Sequence, residues 1–196
     1  FYDYALSSFG LCRLLKVSGN AYDGILIACY GDPGLYAAKE ICDCPVLGIA
    51  ETSIAMSFLL GNRFSILAAS EKAVPMMEHM VAQYGMDHRL AGVFPLNMSV
   101  LDAEANRGET VSRLIEEGKK AVSKGAEVLI LGCAGMTGFG GPVSQALGIP
   151  VMDPVETSFL TLEMMCRGGF KTSKNGLYKP PGKKRIKREY LLTENI

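Results

Sequence analysis

The chain has 196 residues, 48% hydrophobic and 20% charged, with 20 basic against 20 acidic side chains and hence no formal net charge. That balance suits a folded core and gives no reason to expect a nucleic acid or an acidic surface as partner. No apolar run approaches the ~18–20 residues that span a bilayer, and no signal peptide is read, so a cytoplasmic protein without membrane contact is expected.

In chain order, Phe1 to about Lys16 carries Tyr4, Leu11 and Leu15 on one face and predicts a helix ended by Ser18-Gly19-Asn20. The opening at Phe1, without a methionine, gives the expectation that an N-terminal piece is missing. Residues 24–28 predict a buried strand, followed by a turn at Cys29. Asp32-Pro33 then predicts an N-cap carboxylate and a proline at the first position of a helix reaching about Cys42. A strand at 46–49 leads through Glu51-Thr52-Ser53 into an apolar helix ending near Gly61-Asn62. Residues 63–68 predict another strand. Residues 72–84 predict a helix that tolerates Pro75 in its first turn and turns Val74, Met77, Val81 and Tyr84 inward. A strand at 90–94 precedes a looser acidic segment at 102–106. A helix at 109–124 is ended by Gly125, and a strand at 127–132 reaches Cys133. A glycine-rich turn from Gly135 to Gly141 opens a short helix to Leu147. Asp153-Pro154-Val155-Glu156 resembles a capping box starting a helix to about Cys166. Beyond Gly168-Gly169 the chain turns polar, and Lys179-Pro180-Pro181-Gly182 reads as extended. Strands alternating with helices predict a parallel-sheet α/β protein.

One pattern occurs twice. Each of Leu26-Ile27-Ala28-Cys29 and Leu129-Ile130-Leu131-Gly132-Cys133 is an apolar strand ending in a cysteine before a glycine-bearing turn and a helix. Pro45 follows Cys29 by 16 residues and opens a strand; Pro150 follows Cys133 by 17 and does the same. The repeat predicts two pseudo-symmetric lobes, each with a parallel sheet flanked by helices, and an active site between them. The first lobe is drawn as residues 1–53 plus 154–196, including the C-terminal helix and tail, and the second as 54–153. Both cysteines then stand at the carboxyl ends of strands, where open α/β sheets bind ligands.

Two thiols on opposite sides of a bound molecule suit inversion of a stereocentre without a cofactor. One, as thiolate, removes a proton next to a carbonyl, and the other, as thiol, returns one on the opposite face. Free cysteine titrates near pH ~8.5 and helix ends favour its thiolate, so both forms can coexist near neutrality. Charge developing on a carbonyl oxygen needs donors, and the backbone N–H groups of Tyr30-Gly31 and Gly135-Met136-Thr137 are the candidates.

Ala28-Cys29-Tyr30-Gly31-Asp32-Pro33-Gly34-Leu35, Gly48-Ile49-Ala50-Glu51, Leu131-Gly132-Cys133-Ala134-Gly135-Met136 and Thr172-Ser173-Lys174 together resemble the hydantoin racemase family. That family belongs to the aspartate/glutamate racemase superfamily and includes allantoin racemases. The resemblance covers Phe1 to about Pro181. It implies Cys29 and Cys133 as the catalytic pair, no cofactor and no metal, Ser70 as a polar substrate contact, and an aromatic wall beginning at Phe1 and Tyr2. It also implies an earlier strand with an Asn-containing turn lining the site, which is absent here. Amino-acid racemases of the superfamily carry Cys-Thr-His or Cys-Thr-Glu at the second cysteine. Cys133-Ala134-Gly135 lacks such helpers and suits a neutral cyclic imide, hydantoin or allantoin, better than a zwitterion.

The remaining candidates read as structural. Asp32 is assigned a helix cap, Glu51 a cap or lobe hinge, and His79 and His88 the surface. Cys42-Asp43-Cys44 is one CxC pair without a second cluster. Cys12 and Cys166 read as small core hydrophobes, and the basic run Lys183 to Arg188 as a solvated tail. The expected partner is a small hydantoin-type molecule, and the chain is expected to form a homo-oligomer. Two other readings stay open: another superfamily enzyme (an amino-acid racemase, a maleate isomerase or an arylmalonate decarboxylase, though a decarboxylase needs only one cysteine and the pair argues against it), and a non-catalytic small-molecule binding protein.

Overall fold

The computed structural model describes residues 1–182; the basic run Lys183–Arg188 lies outside the described residues. The helices are α1 (Tyr2–Ser18), α2 (Leu35–Ile41), α3 (Ile49–Ser57), α4 (Val74–Gln83), α5 (Val100–Ala105), α6 (Arg107–Ser123), α7 (Gly140–Leu147) and α8 (Pro154–Arg167). The strands are β1 (Ile25–Ile27), β2 (Val46–Gly48), β3 (Phe64–Ala68), β4 (Leu90–Pro95), β5 (Val128–Leu131) and β6 (Val151–Met152).

All pairings are parallel. β1 pairs with β2, Ile25 opposite Val46 and Ile27 opposite Gly48, and the other four strands form a sheet in the order β4-β3-β5-β6. β3 and β5 lie at its centre and every one of their residues is buried, because helices cover both faces. Ile66, Ile130, Val81 and Met77 pack on one side with Ile49 and Ile54 of α3; Leu67, Leu129 and Leu131 pack on the other with Leu114 of α6 and Val143 of α7. A smaller core under β1 and β2 gathers Leu15, Ile27, Leu35, Ala38 and Val46. α3 and α8 pack on each other between the two sheets: α3 meets β2 and β5, while α8 meets β1 and β2.

The α/β class and the parallel sheets agree with the sequence reading, and two segments differ from it. The acidic stretch read as loose is helix α5, whose N-cap Ser99 accepts the Asp102 N–H through its Oγ at 3.1 Å. The Thr110 hydroxyl of α6 donates to the Ala103 carbonyl at 2.9 Å and ties the two helices together. Helix α2 begins two residues later than Asp32-Pro33 predicts, at Leu35. Asp32 (φ 44°) and Gly34 (φ 76°) both turn left-handed, so the chain is not yet helical where the cap was expected.

Candidate active site

β1 delivers Cys29 at its carboxyl end, and the Asp32 N–H closes the turn on the Cys29 carbonyl at 2.9 Å. The Tyr30 side chain leaves this turn for the core, 4% exposed, against residues such as Ile49 and Ile54. As a substrate contact Tyr30 therefore has only its backbone to offer.

Asp32 is also buried, and it caps a different helix from the one its sequence neighbours suggest. Oδ1 accepts the Ala50 N–H at 3.1 Å and Oδ2 the Glu51 N–H at 2.7 Å, which are two of the free donors at the start of α3. The Tyr84 hydroxyl, just past α4, donates to Oδ2 at 3.1 Å. Burial pushes the Asp32 carboxyl up to about 6, against the pull of these donors. Gly48 makes the arrangement possible: a Cβ there would stand 2.2 Å from the Asp32 carboxyl carbon.

β5 delivers Cys133 in the same way, half-buried, and a turn of 3-10 helix over Ala134–Met136 follows. The Met136 N–H donates to the Cys133 carbonyl and the Thr137 N–H to the Ala134 carbonyl, each at 3.1 Å. These two expected donors are thus consumed inside the turn, and the Met136 side chain is buried; of the expected set, the Gly135 N–H remains. The Thr137 hydroxyl donates to the Ala134 carbonyl at 2.8 Å. Asp153 holds the turn from behind. Its Oδ2 accepts the Gly138 N–H at 2.8 Å, while Oδ1 caps α8 by accepting from Val155 and Glu156 at 3.0 and 3.2 Å.

Sequence reasoning placed Tyr4 on a helix face and missed its position at the site. Its ring lies against the Cys29 turn, where a Cβ on Gly31 would come within 2.4 Å of it. Burial, reinforced by the two thiols, pushes the phenol up to about 12. Tyr4 also lines a cleft of about 230 Å³ with Phe1, Ser70, Ala73 and Met76. Ser70 is exposed there after β3 and precedes a single 3-10 turn. The structure thus brings Gly31 of the Cys29 turn and Ser70 to Tyr4, while Cys133 borders a separate small pocket with Ala69, Met98 and Gly135; no local signal in the helical pattern of α1 could have found Tyr4.

Two further charged groups serve the frame. Lys39 is buried and pairs with both oxygens of Glu51 at 2.7 and 2.6 Å. The Lys174 ammonium donates to the Cys42 carbonyl at 2.6 Å, to that of Glu40 at 3.3 Å and to that of Lys39, so it caps the end of α2. His79 and His88 are exposed. Cys42 and Cys44 are buried, the Cys44 thiol 3.7 Å from the Gly19 carbonyl, and the half-buried Cys166 thiol donates to the Asp23 carbonyl at 3.2 Å.

A family model described as Asp/Glu/Hydantoin racemase matches residues 2–160. A hydantoin racemase of Pseudomonas sp. (strain NS671) is 40% identical over 186 residues, covering 94% of this chain and 75% of the relative. One from Paenarthrobacter aurescens is 38% identical, covering 93% and 79%. The solved allantoin racemase of Klebsiella pneumoniae superposes with a TM-score of 0.89 at 31% identity, covering 95% of this chain and 77% of that one. With the parallel sheets and the cysteine turns at their carboxyl edges, these likenesses establish that the chain is an isomerase belonging to the Asp/Glu/hydantoin racemase family.

Proposed function

We propose that the chain inverts C5 of 5-substituted hydantoins, allantoin among them, by proton transfer between Cys29 and Cys133 and the substrate. The observation that supports this reading is that each cysteine follows the carboxyl end of a parallel strand, Cys29 after β1 and Cys133 after β5, with a glycine-bearing turn behind it. One thiolate takes the C5 proton, and the electron pair it leaves is delocalised onto the adjacent ring carbonyl oxygen. The opposite thiol then gives its proton to the other face of C5 as the carbonyl re-forms. The enzyme ends with the two protonation states exchanged and the ring inverted. Ser70 and the backbone of Gly31 and Gly135 hold the ring.

The neutral ring is favoured over an amino acid by the composition of the second turn. Ala134 and Gly135 bring neither an acid–base side chain nor a hydroxyl to meet an ammonium or carboxylate, and the named relatives act on hydantoin or allantoin. The same reading carries a cytoplasmic setting, where thiols stay reduced, and a homo-oligomer. Exposed Phe58, Leu59 and Leu60 after α3 and Phe159, Leu160 and Met164 on α8 support the latter.

The test follows optical rotation of single enantiomers of 5-substituted hydantoins, allantoin, aspartate and glutamate with the purified protein. Decay to zero for the cyclic imides, at least ~100-fold faster than for the amino acids, is the expected result; that ratio is roughly 2.7 kcal/mol of transition-state discrimination. Stable rotation of every hydantoin and of allantoin would refute the reading.

A further inference from the structure

The proposed proton transfer leaves one requirement unmet. Charge that reaches the ring carbonyl oxygen needs a donor in a dry site, and removing one such donor costs typically two to three orders of magnitude, roughly 10²–10³, in rate. The second turn has little to give, because the N–H groups of Met136 and Thr137 bond within it.

The geometry points to Tyr4 as a further catalytic residue, whose hydroxyl donates to the ring carbonyl oxygen as the C5 proton leaves. The inference rests on the racemase reading above. The carbonyl carbon is bonded directly to C5, so its oxygen lies beside the space that two flanking thiols define. Tyr4 is brought to the Cys29 turn from α1. Its ring and hydroxyl lie over Gly31, two residues after Cys29, where a Cβ would come within 2.4 Å of the ring and 2.7 Å of the hydroxyl oxygen. It also lines the cleft that holds Ser70. Held near 12, the phenol keeps its proton throughout the range where cysteine thiolates form. It is therefore a neutral donor and competes with neither thiol for the base role. When the C5 proton moves to sulfur, charge appears on the carbonyl oxygen, and the Tyr4 hydroxyl is the donor that meets it.

Two replacements at this position test the assignment. Tyr4→Phe keeps the ring on Gly31 and removes the donor. It should lower kcat for hydantoin racemisation by about 100-fold or more, with KM moving less than about threefold. The loss should be smaller for 5-phenylhydantoin, whose C5 carbanion the phenyl ring already stabilises, than for 5-methylhydantoin. A packing role would lower both alike. Incorporation of 3-fluorotyrosine at position 4 restores a hydroxyl in the same place and should keep kcat within about threefold of the natural protein.

Activity of Tyr4→Phe within about twofold of the natural protein would overturn the inference while leaving the racemase reading standing. So would equal losses for the phenylalanine and fluorotyrosine variants, or equal losses on the two substrates. A natural protein that neither racemises nor exchanges any hydantoin would overturn the racemase reading itself.

Discussion

The carboxylates of Asp32 and Asp153 hold matching stations behind the two cysteine turns. Each ties the turn that follows one cysteine to the N-terminus of the helix that follows the next strand, α3 for Cys29 and α8 for Cys133. They arrive from opposite ends: Asp32 belongs to the cysteine turn and reaches the helix, whereas Asp153 belongs to the helix and reaches the turn. Both sites meet the same physical need, since a helix start leaves N–H donors unpaired and a cysteine turn must be held still.

Removing either carboxylate strips several donors at once. Asp32→Ala orphans the Ala50 and Glu51 N–H groups and the Tyr84 hydroxyl, and Asp153→Ala those of Val155, Glu156 and Gly138. Each variant should lose about 2 kcal/mol of stability, seen as a lower urea midpoint at unchanged slope. An unchanged midpoint would show that water replaces the carboxylate at no cost.

Asp32 also makes stability depend on pH in a defined direction. Its carboxyl titrates at about 6 in the folded protein against 3.8 as a free side chain, so the folded state holds the extra proton between those values. Its contribution is therefore fully favourable below about pH 4 and is lost as pH rises through about 6. The gap between the two values corresponds to about 3 kcal/mol. Urea midpoints of natural protein and Asp32→Asn between about pH 4 and 7 should converge or cross in that window, with the natural protein losing ground as pH rises. Parallel curves would show that Asp32 titrates normally.

Gly48 leaves room for one atom group only. In Gly48→Ala the new methyl would fall 2.2–2.5 Å from the Asp32 carboxyl atoms, which three hydrogen bonds hold in place. A loss of about 2–3 kcal/mol is expected, together with slower turnover because the Cys29 turn moves with Asp32. Thermal unfolding within about a degree of the natural protein would contradict the clash.

If Cys29 and Cys133 each serve one face of the ring, neither serine variant should racemise. In heavy water Cys29→Ser should exchange deuterium into one enantiomer without inverting it, and Cys133→Ser into the other. Proton NMR of the C5 signal and chiral chromatography read both outcomes. Exchange of the same enantiomer by both variants, or near-natural racemisation by either, would rule out the two-thiol mechanism.

Lys174 separates frame from chemistry. Its ammonium caps three carbonyls at the end of α2, far in sequence from either cysteine. Lys174→Met should cost about 1–2 kcal/mol of stability and leave the kcat of the folded protein within about twofold. A large fall in kcat at unchanged stability would give this lysine a part in the reaction.

The chain by itself determined the order of elements and the parallel class, because strands buried on both faces appear as unbroken apolar runs such as 64–68 and 128–131. It also marked the Asp153 cap, a signal complete within four consecutive residues, and placed both cysteines at strand ends. What only the tertiary structure decided are choices between segments. Asp32 looks like the cap of the helix beside it in sequence, yet two left-handed residues delay that helix and turn the carboxylate to α3. Residues 102–106 read as loose because they are polar, and helix α5 is secured by Ser99 and by Thr110 of its neighbour. Tyr4 lies 25 residues before Cys29 and packs on Gly31 of its turn only because α1 packs along α2. Periodicity and capping report the preferences of one stretch of chain. A hydrogen bond or a close approach between two stretches depends on how they dock, and no local pattern encodes that.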